Sequence, residues 1–250
     1  MILHTIKPDG VIALIGCGGT GAFVADGLCR LLIGKAYRLI LVDHDRVEEH
    51  NLGRQAFYVD DLGRFKSETL ALRLARNYGR EVGYDTHPAS QNIQADLVIG
   101  CVDNPEARRV LANLPQYSRY YTWYLDAGNS RDSGQVLIGN RNISELKGSF
   151  ANNICTGLPL PSIQQPALLI PETRPPLDCA EAVAANEQSP VINHVMAGLV
   201  LQFVHLLLEG RLGWMSAYIN LELGTLRTVD AEPEAVARLI GKKVTWLQNP

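Results

Sequence analysis

Residues Val11-Ile-Ala-Leu-Ile-Gly-Cys-Gly-Gly-Thr-Gly21 carry five apolar side chains into G-x-G-G-x-G, and Ala22-Phe-Val-Ala-Asp-Gly-Leu-Cys-Arg-Leu-Leu32 follows at once. This pattern predicts a buried strand, a tight glycine turn and a helix. At Gly16, Gly18, Gly19 and Gly21 no Cβ keeps a phosphate away from the backbone amides, and the positive end of the helix dipole favours an anion there. The expected fold is therefore α/β, a doubly wound, Rossmann-like and mostly parallel sheet that binds a nucleotide at its carboxyl edge. Taken alone, the stretch suits a dinucleotide dehydrogenase equally well.

Charge placement downstream separates the two. Asp43 closes a second apolar run, Leu39-Ile-Leu-Val42, where a carboxylate can take a nucleoside ribose. Asp45, Asn51, Arg54 and Gln55 then crowd one short loop, and Lys66 heads the helical stretch 67–75. Two cations at the mouth of a nucleotide site suit a reaction that builds charge on phosphate oxygens better than one that passes a neutral hydride. A solvated loop with a helix-capping lysine is the plainer alternative. A third apolar run, 96–102, ends in Asp103-Asn104, with Arg108 about one helical turn further on. A carboxylate at that sheet edge is a natural Mg²⁺ ligand beside a triphosphate, or else a simple helix cap.

Gly16-Cys-Gly-Gly-Thr-Gly21, the run from Asp43 through Arg54-Gln55, Gly63-Arg-Phe-Lys66, Asp103-Asn-Pro-Glu-Ala-Arg108 and Gly134-Gln-Val136 stand in this order. Together they resemble the ThiF/MoeB/HesA family, the prokaryotic relatives of ubiquitin-activating enzymes. The resemblance covers most of residues 10–140, and Pro175-Pro-Leu-Asp-Cys-Ala-Glu-Ala182 extends it. Met1-Ile-Leu-His-Thr-Ile6 and the compact length also resemble the ThiF-family member of the PRTRC plasmid-borne gene system.

The resemblance implies adenylation, with MgATP, of the C-terminal carboxylate of a small ubiquitin-like (β-grasp) or sulfur-carrier protein ending in glycine. Carried over by position, the glycine turn holds phosphates and Asp43 takes the ribose. Arg54 and Lys66 bind the triphosphate, Asn51 and Gln55 assist, and Asp103 holds Mg²⁺. Asp45, Asn104 and Arg108 complete the nucleotide site, and a homodimer is implied. Cys179 is the candidate acceptor for a thioester, at a helix start whose dipole can lower a thiol pKa; a half-buried structural cysteine is the other reading. Two departures stand out. No arginine precedes Arg30, so a contact to a partner subunit's ATP falls to Lys7 or is missing. No C-x-x-C pair occurs, so the structural zinc of many relatives is not expected.

A chain of 250 residues, 46% hydrophobic, can bury a large core as one α/β domain. With 23 Lys+Arg scattered against 26 Asp+Glu, nothing favours nucleic acid. Five unpaired cysteines (Cys17, Cys29, Cys101, Cys155, Cys179) and no evident signal peptide point to a reducing cytoplasm. The apolar stretch 191–208 is interrupted by Asn193, His194, Gln202 and His205, so a buried or dimer-facing helix is expected rather than a membrane span, with the two histidines in the core or an interface.

Three parts are expected: residues 1–148 as the adenylation core, 149–189 as a proline-rich crossover loop carrying Cys179, and 190–250 as a helix and strands completing the domain. Strands are expected at 11–15, 39–43, 97–101, 123–126, 134–138, 217–223 and 225–229. Other functions fit less well. A nicotinamide oxidoreductase leaves Arg54, Lys66 and Asp103 without work, a tRNA-modifying relative lacks a basic cluster, and a silent scaffold has no need of the adenylation side chains.

Overall fold

The computed structural model describes residues 2–3, 6–90, 92–117, 122–151, 154–171 and 190–248. In chain order the first elements are β1 (Ile2–Leu3), β2 (Val11–Ile15), α1 (Gly19–Leu31), β3 (Arg38–Val42), α2 (Lys66–Tyr78) and β4 (Gly83–Asp85). Next come β5 (Leu97–Gly100), α3 (Pro105–Tyr117), β6 (Trp123–Asn129), β7 (Ser133–Gly139), β8 (Phe150–Ala151), β9 (Ile154–Cys155) and the short α4 (Pro161–Gln164). The long α5 (Pro190–Leu208), β10 (Trp214–Asn220), β11 (Thr225–Asp230), α6 (Pro233–Ile240) and α7 (Val244–Gln248) complete the described elements.

The central sheet has eight strands in the order β11-β10-β7-β6-β5-β2-β3-β4. From β4 to β6 neighbouring strands run parallel, and from β6 to β11 they run antiparallel. Alternate residues of the parallel strands enter different cores, as a period of two demands. Ile12, Leu14, Leu97, Ile99 and Leu125 join α1, α2 and α5 on one face, whereas Ala13, Ile15, Val98 and Tyr124 join α3 and Leu160 on the other. Burial on both faces explains why these strands read as unbroken apolar runs.

Chain order reverses at β2, which lies between β3 and β5. Ligands of open α/β sheets sit in the crevice outside the carboxyl ends of strands at such a point. Gly16, Asp43 and Cys101 each follow the last residue of one of these three strands.

Several boundaries differ from expectation. The strand expected at 217–223 is Trp214–Asn220, because Asn220 Oδ1 accepts the Leu223 N–H at 2.9 Å and Gly224 has φ 61°, closing a turn. The stretch expected as one long loop from 149 holds β8, β9, α4 and a 3-10 turn, Pro166–Leu169. It is fastened to β7: Gln164 Nε2 donates to the carbonyls of Ile138 and Pro159 at 2.8 and 2.7 Å, and Asn140 Oδ1 accepts the Leu158 N–H at 3.0 Å. β4 went unanticipated because three residues are too few for a periodic signal.

By length and composition α5 could cross a membrane. In the fold, Ile192, Met196, Val200, Phe203 and Leu207 are buried in the core that contains α1. Its outer side carries Val191, His194, Gly198 and Gln202. Of the core or interface expected for the histidines, the core does not hold them: His194 is exposed and stacks on Phe23 with ring centres 3.7 Å apart, and His205 is 38% exposed at 3.5 Å from Glu209.

Candidate functional site

The glycine turn is made by packing at three of its positions and left open at one. Gly16 has φ +88°, and a Cβ there would stand 2.5 Å from the Cys101 carbonyl oxygen. A Cβ at Gly21 would overlap the Gly16 carbonyl oxygen, and one at Gly19 would lie 2.5 Å from Asn193 Nδ2. At Gly18 the nearest atom is Gln55 Nε2, 3.8 Å away. Space beside Gly18 therefore faces Gln55, whose buried Oε1 has no hydrogen-bond partner among the described residues. The N-terminus of α1 has no side-chain cap, so its first amides are available to an anion.

Asp43, 9% exposed, is already engaged: its Oδ2 accepts the Cys17 N–H at 2.6 Å and its Oδ1 the Asp45 N–H at 2.8 Å. Burial pushes its carboxyl above the ordinary carboxylate value, against the downward pull of those two hydrogen bonds. Each oxygen keeps a lone pair, so a ribose hydroxyl remains within its capacity. Lys66 is the first residue of α2, and its Nζ lies 2.9 Å from Asp45 Oδ2. The lysine side chain is only 8% exposed. The sequence sets this ammonium at the mouth of the site; in the fold its side chain is buried beside Asp45.

Two arginines that the sequence analysis did not single out hold that loop. Arg73 donates to Asp61 at 3.1 Å and to the Ala56 carbonyl at 2.8 Å, while Arg46 donates to the Gly63 carbonyl and lies over the Phe65 ring. Asn51, 2% exposed, accepts the Glu48 N–H at 2.9 Å and so caps a single 3-10 turn. Its observed work is to shape the segment that presents the half-buried Arg54 and Gln55.

Asp103 is exposed just beyond β5, and Asn104 Oδ1 accepts the Ala107 N–H at 2.8 Å as the N-cap of α3. Arg108 joins a different cluster. Its guanidinium lies 3.3 Å from Asp126, a residue 1% exposed whose Oδ2 also accepts the Tyr124 hydroxyl at 2.6 Å. A Cβ at Gly128 would stand 2.7 Å from Arg108 Nη2, so glycine makes room for the guanidinium. Burial raises the Asp126 carboxyl above its usual value, with Arg108 and Tyr124 opposing. The sequence signal for this network was present in Asp126, a carboxylate inside an apolar strand.

Mg²⁺ takes carboxylate oxygens, and Asp103 is an exposed carboxylate just beyond β5. Asp43, His44 and Asp45 also converge, with candidate ligand atoms within 4.8 Å of one another. That trio suits a metal poorly, because two backbone amides and Lys66 already occupy its carboxylates. The thiols of Cys17 and Cys101 are unsuited to attack at neutral pH: burial pushes Cys17 well above its ordinary value and Cys101 up to about 12. Cys179 lies outside the described residues.

The ThiF family model matches residues 9–231. Among curated proteins, ubiquitin-like modifier-activating enzyme 5 of Oryza sativa subsp. japonica is 33% identical over 152 residues, 52% of this chain and 35% of that protein. Its counterpart in Drosophila ananassae is 34% identical over 135 residues, 46% of this chain and 33% of that protein. The matches thus span about a third of these relatives' length. Among solved structures, E. coli MccB with ATP superposes with a TM-score of 0.60 at 19% identity, covering 89% of this chain and 64% of MccB. PaaA gives a TM-score of 0.59 at 19% identity over the same shares.

Proposed function

The chain belongs to the ThiF family, and from that premise we propose that it adenylates the C-terminal carboxylate of a small ubiquitin-like, β-grasp protein ending in glycine. A carboxylate oxygen attacks the α-phosphorus of ATP, the bond to the β-phosphate oxygen breaks, and pyrophosphate leaves with that electron pair. Two anions must meet for this to happen, so the site has to neutralise charge before reaction.

The observation that carries the reading is the open space at Gly18 facing the unpartnered Gln55 Oε1, beside the uncapped N-terminus of α1. An uncapped helix start beside open space would offer its first amides to a phosphate. Around it, Asp43 would take the ribose, Lys66 and Arg54 would bind the triphosphate, and Asp103 would hold Mg²⁺, which when bound would neutralise phosphate oxygens. The ubiquitin-like modifier-activating relatives support the choice of partner.

The reading extends to a homodimer working in the cytoplasm; the free thiols of Cys17, Cys29, Cys101 and Cys155 support a reducing compartment. It also extends to Cys179 as acceptor, its sulfur attacking the acyl carbon and releasing AMP.

ATP–pyrophosphate exchange with purified protein and a panel of β-grasp proteins tests this reading. Exchange should require one carrier with a free C-terminal glycine. Absence of both nucleotide binding and exchange across the panel would overturn it. With an active carrier, Cys179→Ala should keep exchange but lose the reducible adduct on non-reducing gels. An adduct that survives moves the thiol elsewhere.

A further inference from the structure

Asn193 is fully buried in the first turn of α5, where an amide must find partners or cost stability. Its Oδ1 accepts from Thr20 Oγ1 at 3.2 Å and from Asn129 Nδ2 at 3.1 Å. Thr20 Oγ1 lies equally 3.2 Å from Asn129 Oδ1, so the hydroxyl is shared between two carbonyl groups. Nδ2 of Asn193 has no hydrogen-bond partner among the described residues and presses on Gly19, where a Cβ would meet it at 2.5 Å.

The three side chains come from three elements. Thr20 is the second residue of α1, Asn129 ends β6, and Asn193 belongs to α5. Since α1 has no side-chain cap of its own, its first turn is fastened from outside by this triad.

We infer that Asn193 is a positioning residue for the glycine turn: through Thr20 and its contact with Gly19 it fixes the direction in which the first amides of α1 point. A phosphate cradle built from backbone amides has no side-chain rotamer with which to recover from misplacement, and glycine is the residue with the most backbone freedom to lose. Holding reacting groups to within a fraction of an ångström is worth large factors in rate or affinity. The consequence for ATP rests on the proposed nucleotide site; the tether itself does not.

The test compares the wild type with Asn193→Leu, Thr20→Val and Thr20→Ser. Hydrogen–deuterium exchange of the amides of residues 18–22 reports the tether, while the ATP dissociation constant and the kcat of pyrophosphate exchange report its use. Asn193→Leu and Thr20→Val should speed exchange in that segment and weaken ATP binding roughly tenfold, the size expected for losing a buried hydrogen bond, with kcat little changed. Thr20→Ser, which keeps the hydroxyl, should restore both. Unchanged protection in 18–22 for Asn193→Leu and Thr20→Val would overturn the inference, as would loss spread evenly over the sheet. Should Asn193→Leu fail to fold, Thr20→Val, which leaves α5 intact, carries the decision. A wild type that binds no ATP would count against the nucleotide reading, and the amide comparison would still decide the tether.

Discussion

Lys66 Nζ lies 2.9 Å from Asp45 Oδ2, with the lysine side chain 8% exposed and its partner 54% exposed. The ammonium sits at the positive end of the α2 dipole, an unfavourable place that the carboxylate offsets. At the proposed nucleotide site an arriving phosphate would share or take over that ammonium, which the pair with Asp45 holds in place.

Replacing either cation should lower adenylate formation by on the order of a hundredfold, the usual cost of losing one partner of developing charge. Both variants should fold, and Lys66→Ala should lose roughly 1–2 kcal/mol through the packing of its buried aliphatic stem. Exchange assays and urea midpoints check both; near-normal exchange in the two variants would sink the site assignment.

Gly18→Ala and Gly21→Ala should fail differently. At Gly18 the added methyl meets nothing closer than 3.8 Å, so the variant should fold and bind ATP more weakly. At Gly21 it collides with the Gly16 carbonyl, and overpacking against backbone should cost on the order of 3 kcal/mol. Thermal melts and nucleotide titrations distinguish the outcomes. Equal ATP affinity for Gly18→Ala and wild type would show that no phosphate approaches there.

Asp103→Asn keeps the volume and removes the charge. Because the residue is exposed, stability should hardly change, while Mg²⁺-dependent turnover should fall and the Mg²⁺ concentration needed should rise. Matching Mg²⁺ titrations for variant and wild type would make the carboxylate structural.

Arg108→Leu should leave Asp126 buried with only Tyr124 for company, at a cost of about 3 kcal/mol near neutral pH. The pH dependence has a definite sign. Burial raises the folded Asp126 carboxyl above its unfolded value, so its contribution is fully present below the unfolded carboxylate value and is lost as pH rises through the folded one. Removing Arg108 raises the folded value further. The variant's deficit should therefore shrink as pH falls toward 4 and widen toward 7. Denaturant unfolding across that range measures it, and a deficit independent of pH would contradict the sign.

The parallel half of the sheet was legible because strands buried on both faces leave unbroken apolar runs, and the turn after β2 because glycine has few substitutes where backbones nearly touch. Exposure of the site residues was harder to read. Nothing local tells that Lys66 turns inward, since its partner lies 21 positions earlier and is brought there by the loop that Arg73 and Arg46 fasten. Asn104 and Asn51 are expected as ligand contacts from their positions; the fold adds that Asn104 caps α3 and Asn51 a 3-10 turn, work that no local pattern distinguishes because short polar side chains serve either end. The triad of Thr20, Asn129 and Asn193 spans 173 positions, beyond any periodic signal.

β1 pairs in parallel with β9, Ile2 opposite Ile154 and Leu3 opposite Cys155, and this small sheet includes no strand of the large one. During vectorial synthesis β1 emerges well before its partner β9. It stays unpaired while the strands β2, β3 and β5 are translated and can collapse together. Such a long-range closure is slow to form, so the small sheet is expected to close after the strands of the large one have met.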